Sequence, residues 1–336
     1  MSLELKLRRF YTAAAIRNVL KTVVAGEQTV KDNIFTNKQC LETPLIPLAE
    51  LKQVIKNMPV VARDGRPINV SPDSMEVVYI EALPVKLLST VNPVMLNNLK
   101  TATDETVRSY ANRQIVNLRE STNLTTEALC SQAIFNGKIS YQLQTDTGKS
   151  RLYEVSYGAE TIQEVKVTAS NLWDADTAKR TKVLKLLREM DNKIARAGYP
   201  GKRKVYAGTL AFGALLDLVD QEGDSRTPMR IKEDGSIRVG SYDVYEMSEV
   251  YENGKGETVS KLADNEIRMV TPKYTALYYA ALDDLDANLQ ALPFFVKAIK
   301  DEFAGSLMNV SNSKPLPGVA PGSICKAVVT EPAAAE

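Results

Sequence analysis

The side chains best placed to do chemistry are clusters of charge. Asp283-Asp-Leu-Asp286 puts three carboxylates within four residues, a density that can hold a calcium ion. The glycine and bidentate glutamate of an EF-hand loop do not follow, so a solvated acidic turn is the simpler reading. Gly198-Tyr-Pro-Gly-Lys-Arg-Lys204 combines two glycines with three cations and could meet a phosphate. It follows the C-terminal end of a helix, which carries the wrong partial charge for an anion. It reads instead as a solvated turn or hinge. Asp301-Glu302, and Glu246 with Glu249, could act as general acid and base. Only their separation in space would make them a pair, and sequence spacing does not define it. Neither GxGxxG nor GxxxxGK[ST] occurs, so no phosphate-cradling loop can be named. Trp173, the sole tryptophan, reads as a core anchor.

The chain has no histidine. That excludes Ser-His-Asp and Cys-His catalysis, histidine-bearing zinc sites and histidine pH switches. Carboxylate or lysine chemistry passes this filter. Cys40, Cys130 and Cys325 are odd in number and far apart, which favours reduced thiols over a disulfide framework. No catalytic residue, metal site or cofactor is expected. The 42 Lys+Arg against 41 Asp+Glu give a net charge of +1, without the basic excess of a protein that wraps DNA. Such neutrality suits a surface that meets copies of itself, or one that confines nucleic acid without gripping it. Arg17, Asn18 and Lys21 interrupt the apolar run Tyr11 to Val24, so neither a signal peptide nor a membrane span is expected.

The elements that would position these residues form an α+β pattern. Residues 2–25 predict an amphipathic helix, with Leu3, Leu7, Phe10, Ala14 and Val19 near one side. Residues 60–71 predict two short strands around a turn at Asp64-Gly65, and Met75 to Pro84 a returning strand. An excursion that thin needs a partner to lie on. Thr101-Ala-Thr-Asp104 resembles a capping box opening a long helix that runs to Asn136-Gly137. Val107, Ala111, Ile115 and Leu118 form one stripe and Leu124, Ala128 and Phe135 a second, so a bend or change of buried face is expected near Ser121–Asn123. A hairpin follows over 139–157, then a strand over Gln163–Ala169. Asp174-Ala-Asp176 is expected to start a second helix, with Val183, Leu187, Met190 and Ile194 on one face, ending at Gly198. A buried strand at Lys204–Ala207, a short helix to Val219 and a series of short strands come next. A Pro/Gly-rich connection then leads to a last strand near Ile324–Val329.

Several of these segments resemble, in order, the middle and end of the lambda-type major capsid proteins of tailed bacteriophages, the phage capsid protein E family. They are Leu172-Trp-Asp-Ala175, the helix end Ala195-Arg-Ala-Gly198, Val205-Tyr-Ala-Gly-Thr-Leu-Ala-Phe212, Ala133-Ile-Phe-Asn-Gly-Lys-Ile139, Tyr153-Glu-Val-Ser-Tyr-Gly158 and Tyr245 through Gly254. The end is similar too: Phe295-Val-Lys297, Ser313-Lys-Pro-Leu-Pro317 and Pro321-Gly-Ser-Ile-Cys-Lys-Ala-Val328. Asp301-Glu-Phe-Ala-Gly-Ser306 departs from the family's more usual Asp-Pro step.

The resemblance implies a Hong Kong 97-like capsid fold. Its parts would be an N-terminal arm at 1–45, an extended E-loop at 54–86 with Asp64 and Gly65 at its tip, and a P domain at 87–202. The P domain would hold a spine helix at 104–136 with the 176–198 helix beside it. An A domain at 203–288 and a C-terminal return to the P domain at 289–336 would complete it. Gly198, Pro200 and Gly201 are the expected hinge, since glycine permits several backbone states. The implied function is a structural subunit, not an enzyme. It self-assembles into pentamers and hexamers of an icosahedral phage head enclosing double-stranded DNA. Implied partners are other copies of the chain, a separate scaffolding protein, a portal, a decoration protein and DNA contacted non-specifically. Assembly is expected in the host cytoplasm, with both termini held by neighbouring subunits. An encapsulin-like compartment shell and, from another class, a cytoplasmic enzyme using carboxylate or lysine chemistry are the alternatives.

Overall fold

The computed structural model describes residues 10, 12–22, 28–47, 79–91, 93–99, 101–144, 150–158, 161–220, 228–253, 257–301 and 305–332. The expected turn at Asp64-Gly65 and most of the E-loop lie outside these residues.

One helix organises the molecule. Spine helix α4 runs Asp104–Ser131, following α1 (Ala13–Thr22), α2 (Thr29–Asn33) and α3 (Pro93–Leu99). Its 28 residues span about 42 Å at 1.5 Å each. Thr103, not the expected Thr101, caps it: its hydroxyl accepts from Thr106 N at 3.3 Å, while Asp104 and Glu105 answer the positive end of the dipole. The helix loosens into a π-turn at Gln132–Asn136, and Gly137 ends it in the left-handed region at φ 66°. Of the expected second stripe, Ala128 and Phe135 are buried, but the first stripe does not give way to it. Val107, Ala111, Ile115 and Leu118 continue through Thr122 and Thr126, while Leu124 is exposed. Both threonines sit in the buried stripe because their hydroxyls bond back to the carbonyls four residues earlier, at 2.8 Å each.

Three cores hang on this helix. The first packs its N-terminal half, with Ile16 and Val19 of α1 and Leu99 of α3, onto one face of a small sheet. That sheet has the order β16-β17-β4, with β4 at Val85–Val91, β16 at Phe295–Asp301 and β17 at Ser306–Ser313. The second core gathers Val30, Ile34 and Phe35 around the far end of the helix. It includes the hairpin of β5 (Lys138–Gln144) and β6 (Ser150–Ser156), and a three-stranded sheet ordered β1-β15-β18. In that sheet β1 is Lys38–Leu41, β15 is Thr275–Ala280 and β18 is Pro315–Val319. The expected Pro/Gly-rich connection is therefore partly strand: Pro315 and Pro317 are tolerated because β18 is an edge that pairs only with β15.

The third core lies under a seven-stranded sheet in the order β7-β19-β14-β8-β11-β10-β9. These strands are β7 (Gln163–Glu164), β8 (Lys204–Ala207), β9 (Met229–Ile231), β10 (Ile237–Val239), β11 (Tyr242–Glu246), β14 (Glu266–Val270) and β19 (Ile324–Val328). Helices α5 (Arg180–Arg196) and α6 (Thr209–Asp220) fill that core from one side. Helix α5 begins at Arg180, since Asp174–Thr177 is spent on turns, but Val183, Leu187, Met190 and Ile194 are buried as their spacing predicts. Its apolar face joins this sheet instead of lying beside the spine helix. The strand expected over 163–169 shortens to β7 followed by a single turn at Ala169–Asn171. Short β2 (Leu45–Pro47) and β3 (Tyr79–Glu81) pair with each other, as do β12 (Val250–Glu252) and β13 (Thr258–Ser260).

Candidate assembly surfaces and the charge network behind them

Asp283, Asp284, Asp286, Arg203, Lys204 and Glu249, among the charged residues singled out in the sequence, hold elements together. In the acidic turn, Asp284 and Asp286 both grip Lys297 Nζ at 2.8 Å, and Asp283 pairs with Lys314. Lysines therefore occupy the carboxylates a cation would need. Burial pushes the Asp284 carboxyl up, but hydrogen bonds from Lys297 and from backbone N–H groups outweigh it and hold it below its ordinary value. In the Gly198–Lys204 turn, Arg203 is taken by Asp191 at 2.7 Å and Tyr199 O, and Lys204 reaches Asn33 at 3.2 Å. Glu246 and Glu249 do not work as a pair, because Glu249 is bound to Lys261 and Thr29. Asp301 closes β16, and Glu302 lies outside the described residues. Cys40 is exposed, Cys130 and Cys325 are buried, and all three are free. Trp173 anchors the third core. No group of three or more metal-ligating side chains occurs among the described residues.

A network centred on Glu127 was not among the expectations from sequence. This carboxylate is buried at the far end of the spine helix. Oε1 accepts from Val30 N at 2.8 Å and Lys261 Nζ at 2.6 Å; Oε2 accepts from Lys31 N at 2.7 Å. One side chain thus ties α2 and the β12–β13 region to the spine. Lys31 Nζ adds a bond to Asn123 at 2.9 Å, and burial lowers its pKa. Another buried cation, Arg268, donates to Phe135 O at 2.8 Å. It caps the end of the spine helix from the back of the large sheet, where Phe135 and Tyr206 meet edge to face. A polar residue in an apolar run, as in Leu124-Thr-Thr-Glu-Ala-Leu-Cys130, is the only hint of this in sequence.

Of the expected hinge, Gly198 ends α5 at φ 92° with Tyr199 N bonded to Ile194 O, and Gly201 adopts φ 155°. A Cβ at Gly201 would lie 2.9 Å from Thr271 Cγ2. The elements on both sides of this turn, α5 and β8, bury their side chains in the same core. Outward apolar groups collect elsewhere. Leu285 is 82% exposed on the clamped acidic turn, and Leu88 and Ile299 stand on the outer face of the β16-β17-β4 sheet.

The fold is shared with solved capsid proteins. A protein described as a prophage capsid protein of E. coli CFT073 matches with a TM-score of 0.57 at 16% identity, over 98% of both chains. A phage-related protein from Bordetella bronchiseptica RB50 matches with a TM-score of 0.52 at 9% identity, over 94% of this chain and 96% of the other. The architecture is thus the Hong Kong 97-like capsid fold. No curated protein sequence matches. The sequence model of phage major capsid protein E matches residues 12–329, and the chain belongs to that family. Family and fold are those of a structural capsid protein and not an enzyme, and the encapsulin-like reading is not favoured. No helix among the described residues is long and apolar enough to cross a membrane.

Proposed function

We propose that this major capsid protein forms the pentamers and hexamers of a phage head that encloses double-stranded DNA. The observation that carries this reading is the family match across residues 12–329 on a chain with the capsid fold. In the proposed division, 1–45 is the N-terminal arm, 54–86 the E-loop, 87–202 the P domain, 203–288 the A domain and 289–336 the return. The large sheet bears on this division, since β7 and β19 come from the segments on either side of the A domain. Shared strands stitch the two domains, so a joint at Gly198, Pro200 and Gly201 would work at small amplitude. The E-loop, with Asp64 and Gly65 at its tip, crosses to a neighbouring subunit in this proposal, because closure and multivalency let modest contacts build a stable lattice. A separate scaffolding protein, a portal and a decoration protein complete the head, assembled in the host cytoplasm. Electron microscopy of the purified full-length chain tests the reading. Closed icosahedral shells are expected, and discrete monomers or dimers at every concentration would overturn it.

A further inference from the structure

The outer face of α5 carries a stripe of positive charge that packing does not explain. Lys185, Arg188, Glu189, Asn192, Lys193 and Arg196 line an open groove along it. Spacings of three, four, seven, eight and eleven residues from Lys185 put them on one side of the helix, over about 16 Å. The buried residues Val183, Leu186, Leu187, Met190 and Ile194 occupy the other side. Six cations in this helix face two carboxylates, Glu189 and Asp191, so α5 carries +4 in a chain whose total is +1.

Most charges near the groove have structural work. Arg180 donates to Leu218 O and Val219 O, Lys182 to Ser170 O and Lys193 to Glu164 O, while Asp191 is taken by Arg203 and Tyr242. Lys185, Arg188 and Arg196 are different. They are exposed, and none enters an ion pair among the described residues. Arg196 in the last turn favours the helix dipole, but Lys185 and Arg188 sit mid-helix, where that effect has faded.

We propose that this face of α5 lines the inside of the shell and meets the phosphate backbone of the enclosed DNA. The proposal rests on the reading of the chain as a DNA-enclosing shell and deepens it. Three unpaired cations on a rigid stripe, with the Asn192 amide as a neutral donor among them, fit a row of phosphates and hold nothing that reads base edges. Contact would be weak per subunit and independent of sequence, and repetition over the lattice would make it count. It also reconciles local grip with global neutrality, since the +4 of this helix is offset elsewhere in a chain of net charge +1.

The test compares the full-length chain with a K185Q/R188Q/R196Q variant, whose changed residues are exposed. Shell formation is scored by electron microscopy, and binding of a short DNA duplex to unassembled capsomers is followed between about 50 and 200 mM salt. For the unaltered chain, log K should fall against log salt with a slope of about −3, one counterion per contacted phosphate. The variant should form normal shells and lose most of that slope. In closed shells, a lysine reagent on a polymer too large to cross the wall should leave Lys185 untouched until the shells are opened. An unchanged slope in the variant, labelling of Lys185 on closed shells, or failure of the variant alone to form shells would each overturn the proposal. The last result would make the face a contact between subunits. Failure of the unaltered chain to form shells would sink the shell reading itself.

Discussion

At the scale of single residues, the largest stakes are in the Glu127 network. Glu127 and Lys261 are both nearly withdrawn from solvent and paired with each other, with Glu249 as a second partner of Lys261 at the rim. Removing one partner of such a pair leaves an uncompensated buried ion, at a cost of about 3–5 kcal/mol. Lys261→Met should therefore lower the thermal midpoint of the unassembled subunit sharply. Glu127→Gln with Lys261→Met together should recover part of the loss, and calorimetry of the single and double variants checks both. Acid should act on the same network from its rim. Burial pushes the Glu249 carboxyl up, but hydrogen bonds from Lys261 and Thr29 outweigh it and hold it below its ordinary 4.5. A carboxyl depressed on folding adds stability above its unfolded value and loses it as pH falls through the folded one. Stability should decline as pH drops below about 4.5, less steeply in Glu249→Gln; because Glu249 is nearly half exposed, the difference is small. Beyond a polar residue in an apolar run, the network was not legible in sequence, since the partners of Glu127 lie 96, 97 and 134 residues away.

At the scale of elements, local chemistry was readable wherever it was self-contained. The apolar face of α5 and the glycine stops at Gly137 and Gly198 follow from spacing alone. The errors came where a neighbour decides: Leu124 is exposed because threonines that satisfy themselves take the buried stripe, and β18 is a strand despite its prolines because it lies on an edge. Two glycines five residues apart make this distinction testable. At Gly208 an added Cβ would stand 2.2 Å from Ala263 O and 2.6 Å from Asp264 Cα, backbone atoms that cannot yield cheaply. At Gly213, within α6, it would meet nothing within 4 Å. Gly208→Ala should destabilise the subunit and displace the start of α6. Gly213→Ala should stabilise it by about 0.5–1 kcal/mol, the usual gain from alanine in a helix interior. Chemical unfolding of the two variants should move in opposite directions. Thr103→Ala, which removes the cap of the spine helix, should cost about 0.5–2 kcal/mol in the same measurement.

At the scale of the molecule, the order of elements and their resemblance to a capsid family were legible, but the distribution of burial and charge was not. Net charge averages a basic helix into neutrality. Segment order likewise says nothing of how β7 and β19 enter one sheet from segments more than 150 residues apart. That sheet constrains how one chain would serve both of the proposed capsomers, pentamer and hexamer. Helix α5 and strand β8 flank the glycine turn but share a core, and packed cores resist continuous deformation. Conformational differences between copies in a shell should therefore be small within the body built on the large sheet, about 1 Å or less in backbone position. The angle between α5 and β8 should still vary from copy to copy, because Gly198 and Gly201 hold backbone conformations that tolerate adjustment. Electron cryo-microscopy of an assembled shell gives each independent copy separately. Identical α5–β8 angles in every copy would remove the joint at Gly198, Pro200 and Gly201. A copy in which Val183, Leu187 or Ile194 leaves the core would instead show that the shared core does not limit the motion.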